Sequence, residues 1–257
     1  GVSTGMYHPG KTPLHTVFEL PFLTPEDNMD IARLQMMMEE HPAMIKEFDK
    51  WNAVVMLSPM ADQYNLIMSN KRVATIDDLD GLRIRLAPTM AGVLEKFGAV
   101  GSMLALGETY TALERGTVDA VGAAASWAGG WNFQEVTKYA TTGMAMGTAS
   151  MFVFASKDAW NALPDDLKEL HKWWQAKSGE EWAIQRELDS AKYLPAFAER
   201  MEFIKFPPED RAKLVAEAQP IWKDWVKRME DQGLPGQEVL DYLIAKNKEI
   251  QDAKEKK

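Results

Sequence analysis

The chain contains no cysteine. That excludes a disulfide framework, a thiolate metal centre and a cysteine nucleophile together. It also lacks any run of about 20 apolar residues, the length a membrane-spanning helix requires. Histidine is scarce: His8, His15, His41 and His171 are scattered, with no His-Glu-x-x-His helix to bind zinc, so no metal site is assigned. Positive charge is in deficit, 29 Lys and Arg against 38 Asp and Glu. The resulting net charge of -9 and pI near 5.1 argue against a nucleic-acid partner, whose phosphates demand a basic face. The mixed tail Lys254-Glu255-Lys256-Lys257 is too short to reverse that.

Signatures of catalysis are missing as well. There is no dinucleotide-binding glycine fingerprint, no phosphate-cradling loop closed by lysine, and no Gly-x-Ser-x-Gly elbow. The acidic pairs Glu39-Glu40 and Glu180-Glu181 fall in helical stretches with basic neighbours, the pattern of solvated faces. No catalytic residue and no cofactor is therefore assigned. Two classes of function stay open: a binding protein that clamps a small acid between lobes, and a small-molecule enzyme of α/β fold with a dispersed active site.

What is present is ample core. With 257 residues, 46% of them hydrophobic, the chain can bury a large interior and divide into two lobes. Residues 1 to 23 read as an irregular opening around an apolar island, Val17-Phe18-Glu19-Leu20-Pro21-Phe22, whose packing partners are expected upstream of Gly1. Thr24, followed by Pro25 and Glu26, predicts a helix start, and His41-Pro42 its end. Strands are predicted at 53–57 and 64–68, then a helix from Thr89 to Phe97 and another from Glu108, stopped by Gly116 in the left-handed conformation. This alternation of strand and helix predicts parallel α/β layers. A strand at 149–155, a long helix from Leu163 interrupted at Pro195, a last strand at 203–206 and helices over 208–232 and 236–254 complete the reading. Trp173, Trp174 and Trp182 are expected to face the core or a contact between lobes. The methionines Met36 to Met38 read as flexible core filler.

The stretch from Asp77 to Thr89 organises the functional argument. Asp77 to Asp80 form a polar turn closed by Gly81, Leu82 to Leu86 a short strand, and Pro88 stops the strand so that Thr89 can cap the next helix. Arg85 then sits at the carboxyl end of a strand, the edge at which open α/β sheets bind ligands, with Arg83 on the same face but deeper. A guanidinium there can hold a carboxylate through two parallel hydrogen bonds, assisted by N–H groups of the following helix. The competing reading is an ion pair between Arg85 and a nearby aspartate. The run Gly122-Ala123-Ala124-Ala125-Ser126-Trp127-Ala128-Gly129-Gly130-Trp131 lets a ligand approach closely, with indoles to wall it; packing of both tryptophans between lobes is the alternative.

These motifs resemble a known family. Asp78 to Arg85, Gly98-Ala99, the run Glu108 to Asp119 and Glu135-Val136-Thr137-Lys138-Tyr139 are similar to the solute-binding proteins of TRAP transporters. So are Tyr7 to Leu14, Glu19-Leu20-Pro21-Phe22 and Leu163-Pro164-Asp165-Asp166-Leu167. The resemblance implies a periplasmic receptor of two α/β lobes with mixed sheets and a long lobe-spanning helix, closing over a small organic acid and delivering it to membrane permease subunits. Lobe I is expected over 1–60 and 150–192, lobe II over 61–149 and 193–215, and packing helices over 216–257. Hinges are expected near Pro59 to Gln63, near Gly147 to Ser150 and around Lys192 to Pro195.

In this resemblance Arg85 grips the ligand carboxylate, Leu106 lines the pocket, and Tyr7 joins the binding set. A second arginine carried by some members on the preceding strand is replaced here by Asn65, and a polar contact after Asp119 by Ala123. Trp127 then supplies an apolar or aromatic wall. Members also begin with a further strand-helix-strand unit, so the chain reads as truncated at its amino end.

Overall fold

The computed structural model of the protein describes residues 1–57, 62–149 and 151–255, apart from the side chain of Ala176. Two sheets carry the architecture. The smaller has three antiparallel strands in the order β1 (Val2–Thr4), β8 (Met151–Ser156), β2 (Ala53–Leu57). The larger has six, in the order β5 (Val100–Ser102), β4 (Arg83–Arg85), β6 (Ala120–Ala123), β3 (Leu66–Ser69), β7 (Tyr139–Thr142), β9 (Glu202–Lys205). It is mixed rather than parallel throughout: β4 runs parallel to β5 and β6, β7 parallel to β9, and β3 antiparallel to both neighbours.

The apolar island near the start is buried from Val17 to Pro21, with Phe22 half-buried, as part of a 3-10 helix Leu14–Glu19 and the turn after it. Among the described residues its partners lie downstream. They are α1 (Asn28–Met38), α2 (Pro42–Asp49), α9 (Ala218–Glu230) and α10 (Gly236–Glu255), whose Leu34, Met44, Trp225 and Leu243 share one cluster with Leu14 and Phe18. Trp225 Nε1 donates to Thr16 Oγ1 at 2.8 Å, and Trp222 Nε1 to the Pro21 carbonyl at 3.0 Å. A compact apolar segment finds its cover wherever the chain brings one, and here the carboxyl-terminal helices provide it.

Helix starts depart from expectation in an instructive way. Asp27, not Thr24, caps α1, accepting from the Asp30 N–H at 3.0 Å. His41 opens α2 instead of closing α1, its Nδ1 accepting from the Ala43 N–H at 3.2 Å, with Pro42 in the first turn where no N–H is needed. For α3 (Pro88–Glu95) the cap is Ala87, and Thr89 lies inside the first turn, donating to the Glu19 carbonyl at 2.6 Å. Gly116, with φ +67°, ends α4 (Leu106–Glu114) as the sequence predicts.

After α5 (Ala125–Ala128) and α6 (Lys157–Asn161), the long helix α7 runs over Asp165–Arg200 without a break at Pro195. Proline removes one hydrogen bond from a helix interior. Tertiary packing overrides that loss: Tyr193 stacks on Phe197 with centroids 6.4 Å apart, Phe197 is fully buried, and Tyr193 lies so close to Gly129 that a Cβ there would fall 2.2 Å from the ring. Helix α7 touches α1 and β2 on the side of the small sheet and α5 on the other. Trp173 and Trp174, expected inside, are 57% and 46% exposed. The predicted helix over 208–232 divides at Glu217 into α8 (Pro208–Ala216) and α9.

Of the expected hinge segments, Pro59 to Ala61 and Ser150 lie outside the described residues. The flanking residues are tied together: Gly147 N–H donates to Gln63 Oε1 at 2.7 Å, Gln63 Nε2 to the Pro25 carbonyl at 2.6 Å, and Tyr64 N–H to the Gly147 carbonyl at 2.7 Å. Among the described residues no helix is long and apolar enough to cross a membrane.

Candidate functional site

Strand β4 alternates as a strand must, sending Ile84 to one face and Arg83 and Arg85 to the other. The two arginines differ in depth, in the reverse of the expected order. Arg83 is the exposed one, its side chain 45% accessible, whereas Arg85 is 1% accessible. Arg83 is bound in a fork to Asp119, Nε to Oδ2 at 2.9 Å and Nη2 to Oδ1 at 2.7 Å, and Lys71 Nζ adds a contact at 3.0 Å. These bonds hold the Asp119 carboxyl well below the usual carboxylate range. The structural ion pair considered for Arg85 thus belongs to its neighbour.

Arg85 points into a cavity of about 350 Å³ and, among the described residues, forms no ion pair. Its Nε donates to the Leu104 carbonyl at 3.2 Å and its Nη2 to Tyr7 Oη at 2.9 Å. Tyr64 also faces it: burial pushes the Tyr64 phenol up to about 12, with Arg85 pulling the other way. Glu19 belongs to the same surroundings, since its charge too acts on Tyr64. Burial pushes the Glu19 carboxyl up to about 8, which favours its neutral form, and among the described residues it makes no ion pair with the guanidinium. A buried cation without a counter-charge is costly, on the order of several kcal/mol, and its environment is completed by an anion.

The apolar walls come from several elements. Trp127 of α5 meets Tyr64 with ring centroids 5.8 Å apart and Phe133 edge-on at 6.2 Å. Leu106, the first residue of α4, and Trp131 extend that wall, and Met151 of β8 faces them from the small sheet. Asp62, Trp182 and Arg186 complete the lining. Ser126 donates to Asp62 Oδ1 at 2.8 Å, and Arg186 Nη1 lies 4.0 Å from Oδ2. Burial nonetheless pushes the Asp62 carboxyl up to about 7, and the charges of Glu187 and Asp189 add to that.

Of the residues the sequence singled out, Tyr7, Arg85, Leu106 and Trp127 meet in this cavity. Thr89, Asn65 and Ala123 do not. Thr89 lines a wider groove of about 760 Å³ elsewhere, so the helix end beside Arg85 is that of α4 rather than α3. Asn65 is exposed, because Tyr64 takes the inward position at that point of the chain. Ala123 is fully buried against Leu66 on the inner face of the large sheet. Sequence reasoning missed Tyr64, Asp62, Trp182 and Arg186. The last two carried a readable signal, four residues apart on one face of a helix. Elsewhere His15 is a structural group: burial works to lower its pKa, but Glu39 and Glu47 outweigh that and raise it to about 9, with Nδ1 2.5 Å from Glu47 Oε2. Among the described residues no acidic and histidine cluster could hold a metal ion.

Two sheets bridged by a long helix, with a walled cavity lined by a deep arginine that has, among the described residues, no acidic partner, define a two-lobed α/β ligand-binding protein. Residues 1–228 match the family of bacterial extracellular solute-binding proteins, family 7 (DctP), and the chain belongs to that family. These are solute receptors, not enzymes. A TRAP solute-binding protein of Rhodoferax ferrireducens T118, solved with copurified benzoate, superposes with a TM-score of 0.86 at 19% identity, over 98% of this chain and 79% of that one. An open TRAP periplasmic solute-binding protein of Desulfovibrio salexigens DSM2638 gives 0.79 at 24% identity, over 96% and 76%. Among curated relatives, a solute-binding protein of Sulfitobacter sp. (strain NAS-14.1) is 28% identical over 171 residues, covering 58% of this chain. The chain spans 50% of that relative's length. A monocarboxylate 2-oxoacid-binding periplasmic protein of Nostoc sp. (strain PCC 7120) is 29% identical over 108 residues, 40% of this chain and 29% of its own.

Proposed function

We propose that the protein is the extracytoplasmic receptor of a TRAP transporter, working in the periplasm, and that Arg85 captures the carboxylate of a small organic acid for delivery to membrane permease subunits. One observation carries this reading: a buried guanidinium facing a cavity, with no carboxylate of its own among the described residues. Tyr7 holds one edge of the fork in place, Leu104 fixes Nε, and Tyr64 flanks the group. The remaining donors are oriented before the ligand arrives, which reduces the ordering cost of binding. Trp127, Trp131 and Leu106 favour an acid with an apolar or aromatic body. Neighbouring proteins of the same fold fit that chemistry, one with copurified benzoate and another with orotic acid. Closure of lobes corresponding to 1–60 with 150–192, and 61–149 with 193–215, about the crossings near Gln63, Gly147 and Lys192, would then seal the acid from water.

The test is calorimetric titration of the protein with a panel of aliphatic and aromatic monocarboxylates. We expect at least one acid to bind in the micromolar range or tighter, and small-angle scattering to record compaction on its addition. An acid that binds while its amide or alcohol analogue binds equally well would remove the carboxylate, and with it Arg85, from the mechanism.

A further inference from the structure

The lining of the cavity holds a second polar group that Arg85 does not explain. Trp182 and Arg186 lie one turn apart on α7, with the Arg186 guanidinium over the Trp182 ring at 4.6 Å from its centroid. Thr4, at the end of β1, also lines the cavity and is 5% exposed. Each of these lining residues holds a buried polar atom with no hydrogen-bond partner among the described residues: Trp182 Nε1, Arg186 Nε and Thr4 Oγ1. Orphaned buried donors are rare, and each one costs free energy until something satisfies it. Three of them lining one cavity make a built site for an acceptor.

We propose that these donors read a second, uncharged oxygen of the ligand, so that the preferred acid carries a hydroxyl, keto or amide oxygen besides its carboxylate. This rests on the reading of Arg85 given above and narrows its substrate class. The local charges favour a neutral acceptor over a second carboxylate. The two terminal nitrogens of Arg186 already face acids, Nη1 towards Asp62 at 4.0 Å and Nη2 towards Asp189 at 3.6 Å. The unpartnered group of Arg186 is its Nε–H edge, on the residue that stacks over the Trp182 indole, while a second anion would meet the charges of Asp189 and Glu187. A neutral oxygen satisfies these donors and adds no repulsion.

The experiment compares matched acids by calorimetry on the full chain: pentanoate, 4-oxopentanoate and glutarate, and phenylacetate with its 3- and 4-hydroxy forms. We expect an oxygenated acid to bind about tenfold tighter than its parent, as one or two good hydrogen bonds imply. Trp182→Phe keeps the ring and removes the N–H; Thr4→Val keeps the shape and removes the hydroxyl. Each should cost the oxygenated acid about fivefold while leaving its parent within about twofold. Equal affinities for parent and oxygenated acids in the wild type would overturn the proposal, as would equal losses for both in the two variants. Tightest binding of glutarate would overturn its uncharged-oxygen clause. Arg85→Ala separates the two readings: if it abolishes binding of every acid while the Trp182 and Thr4 variants fail to discriminate, only the reading of the second oxygen is refuted. If Arg85→Ala binds all of them normally, the carboxylate reading itself falls.

Discussion

Arg83 and Arg85 stand at the two ends of one three-residue strand, on one face of it, in opposite circumstances. Arg83 reaches solvent and is saturated by Asp119. Arg85 is buried and faces a cavity with only neutral partners. The acids around them differ in the same sense. Asp119 is held ionised by its bonds to Arg83, and Glu19 is pushed towards its neutral form by burial. The lesson is that two arginines on one strand face can differ completely in pairing, and only the one whose surroundings withhold a counter-charge has capacity for the proposed ligand. Surface pairing of the other arginine contributes to the fold and leaves no capacity for a ligand.

The sharpest way to break this contrast is Arg85→Ala. Two charge-assisted hydrogen bonds at about 1.5 to 3 kcal/mol each predict an affinity loss of roughly 10² to 10⁴. Calorimetry against any acid the wild type binds reads this directly, and a loss below tenfold would place the carboxylate elsewhere.

A smaller effect concerns Glu19. Its folded pKa, about 8, lies above the ordinary 4.5, so the fold favours the protonated form. That contribution is complete below about pH 4.5 and is lost as pH rises through 8. Glu19→Gln keeps a neutral group, so its Tm should match the wild type near pH 5 and exceed it near pH 8. His15 contributes a decline of the same sign between about 6.5 and 9, present in both proteins, so the difference between them isolates Glu19. Parallel Tm curves would show that Glu19 is ionised in the fold.

Asp119 has the opposite sign. Its folded pKa is depressed, so its contribution is present above about pH 4 and is lost as pH falls below that. Arg83→Met should lower Tm at neutral pH by a few degrees and flatten the acid limb of the Tm curve, only in part because Lys71 still faces Asp119. The smallest expected effect is on binding: Arg83→Met and Thr89→Val should each leave acid affinity within about twofold, the tolerance for sites that share no partner. A tenfold loss in either would erase the division of labour between the two ends of the strand.

Much of the large sheet was readable, because short apolar runs bounded by Gly81, Gly98 and Gly116 punctuate it clearly. Helix ends were harder. Thr24 and Thr89 have the right chemistry for caps, but Asp27 and Ala87 hold those positions, since packing against Glu19 and its neighbours decides where each helix begins. Proline at 195 predicted a break that the buried Phe197 prevents. In the site, Arg85, Tyr7, Leu106 and Trp127 could be named because they sit in recognisable motifs. Tyr64 was displaced by one residue to Asn65, and a one-residue slip turns a side chain to the opposite face. Trp182 and Arg186 lie about 120 residues downstream of Asp62, and only the path of α7 brings them to the same cavity.

That path has a mechanical consequence. A 36-residue helix measures about 54 Å, and the cavity meets α7 close to its midpoint, at Trp182 and Arg186. A tilt of about 5° imposed there would sweep either end through roughly 2 Å, so α7 can act as a lever with the solute at its fulcrum. The outward indoles of Trp173 and Trp174 ride on one arm, where their fluorescence would register occupancy of the pocket from a distance.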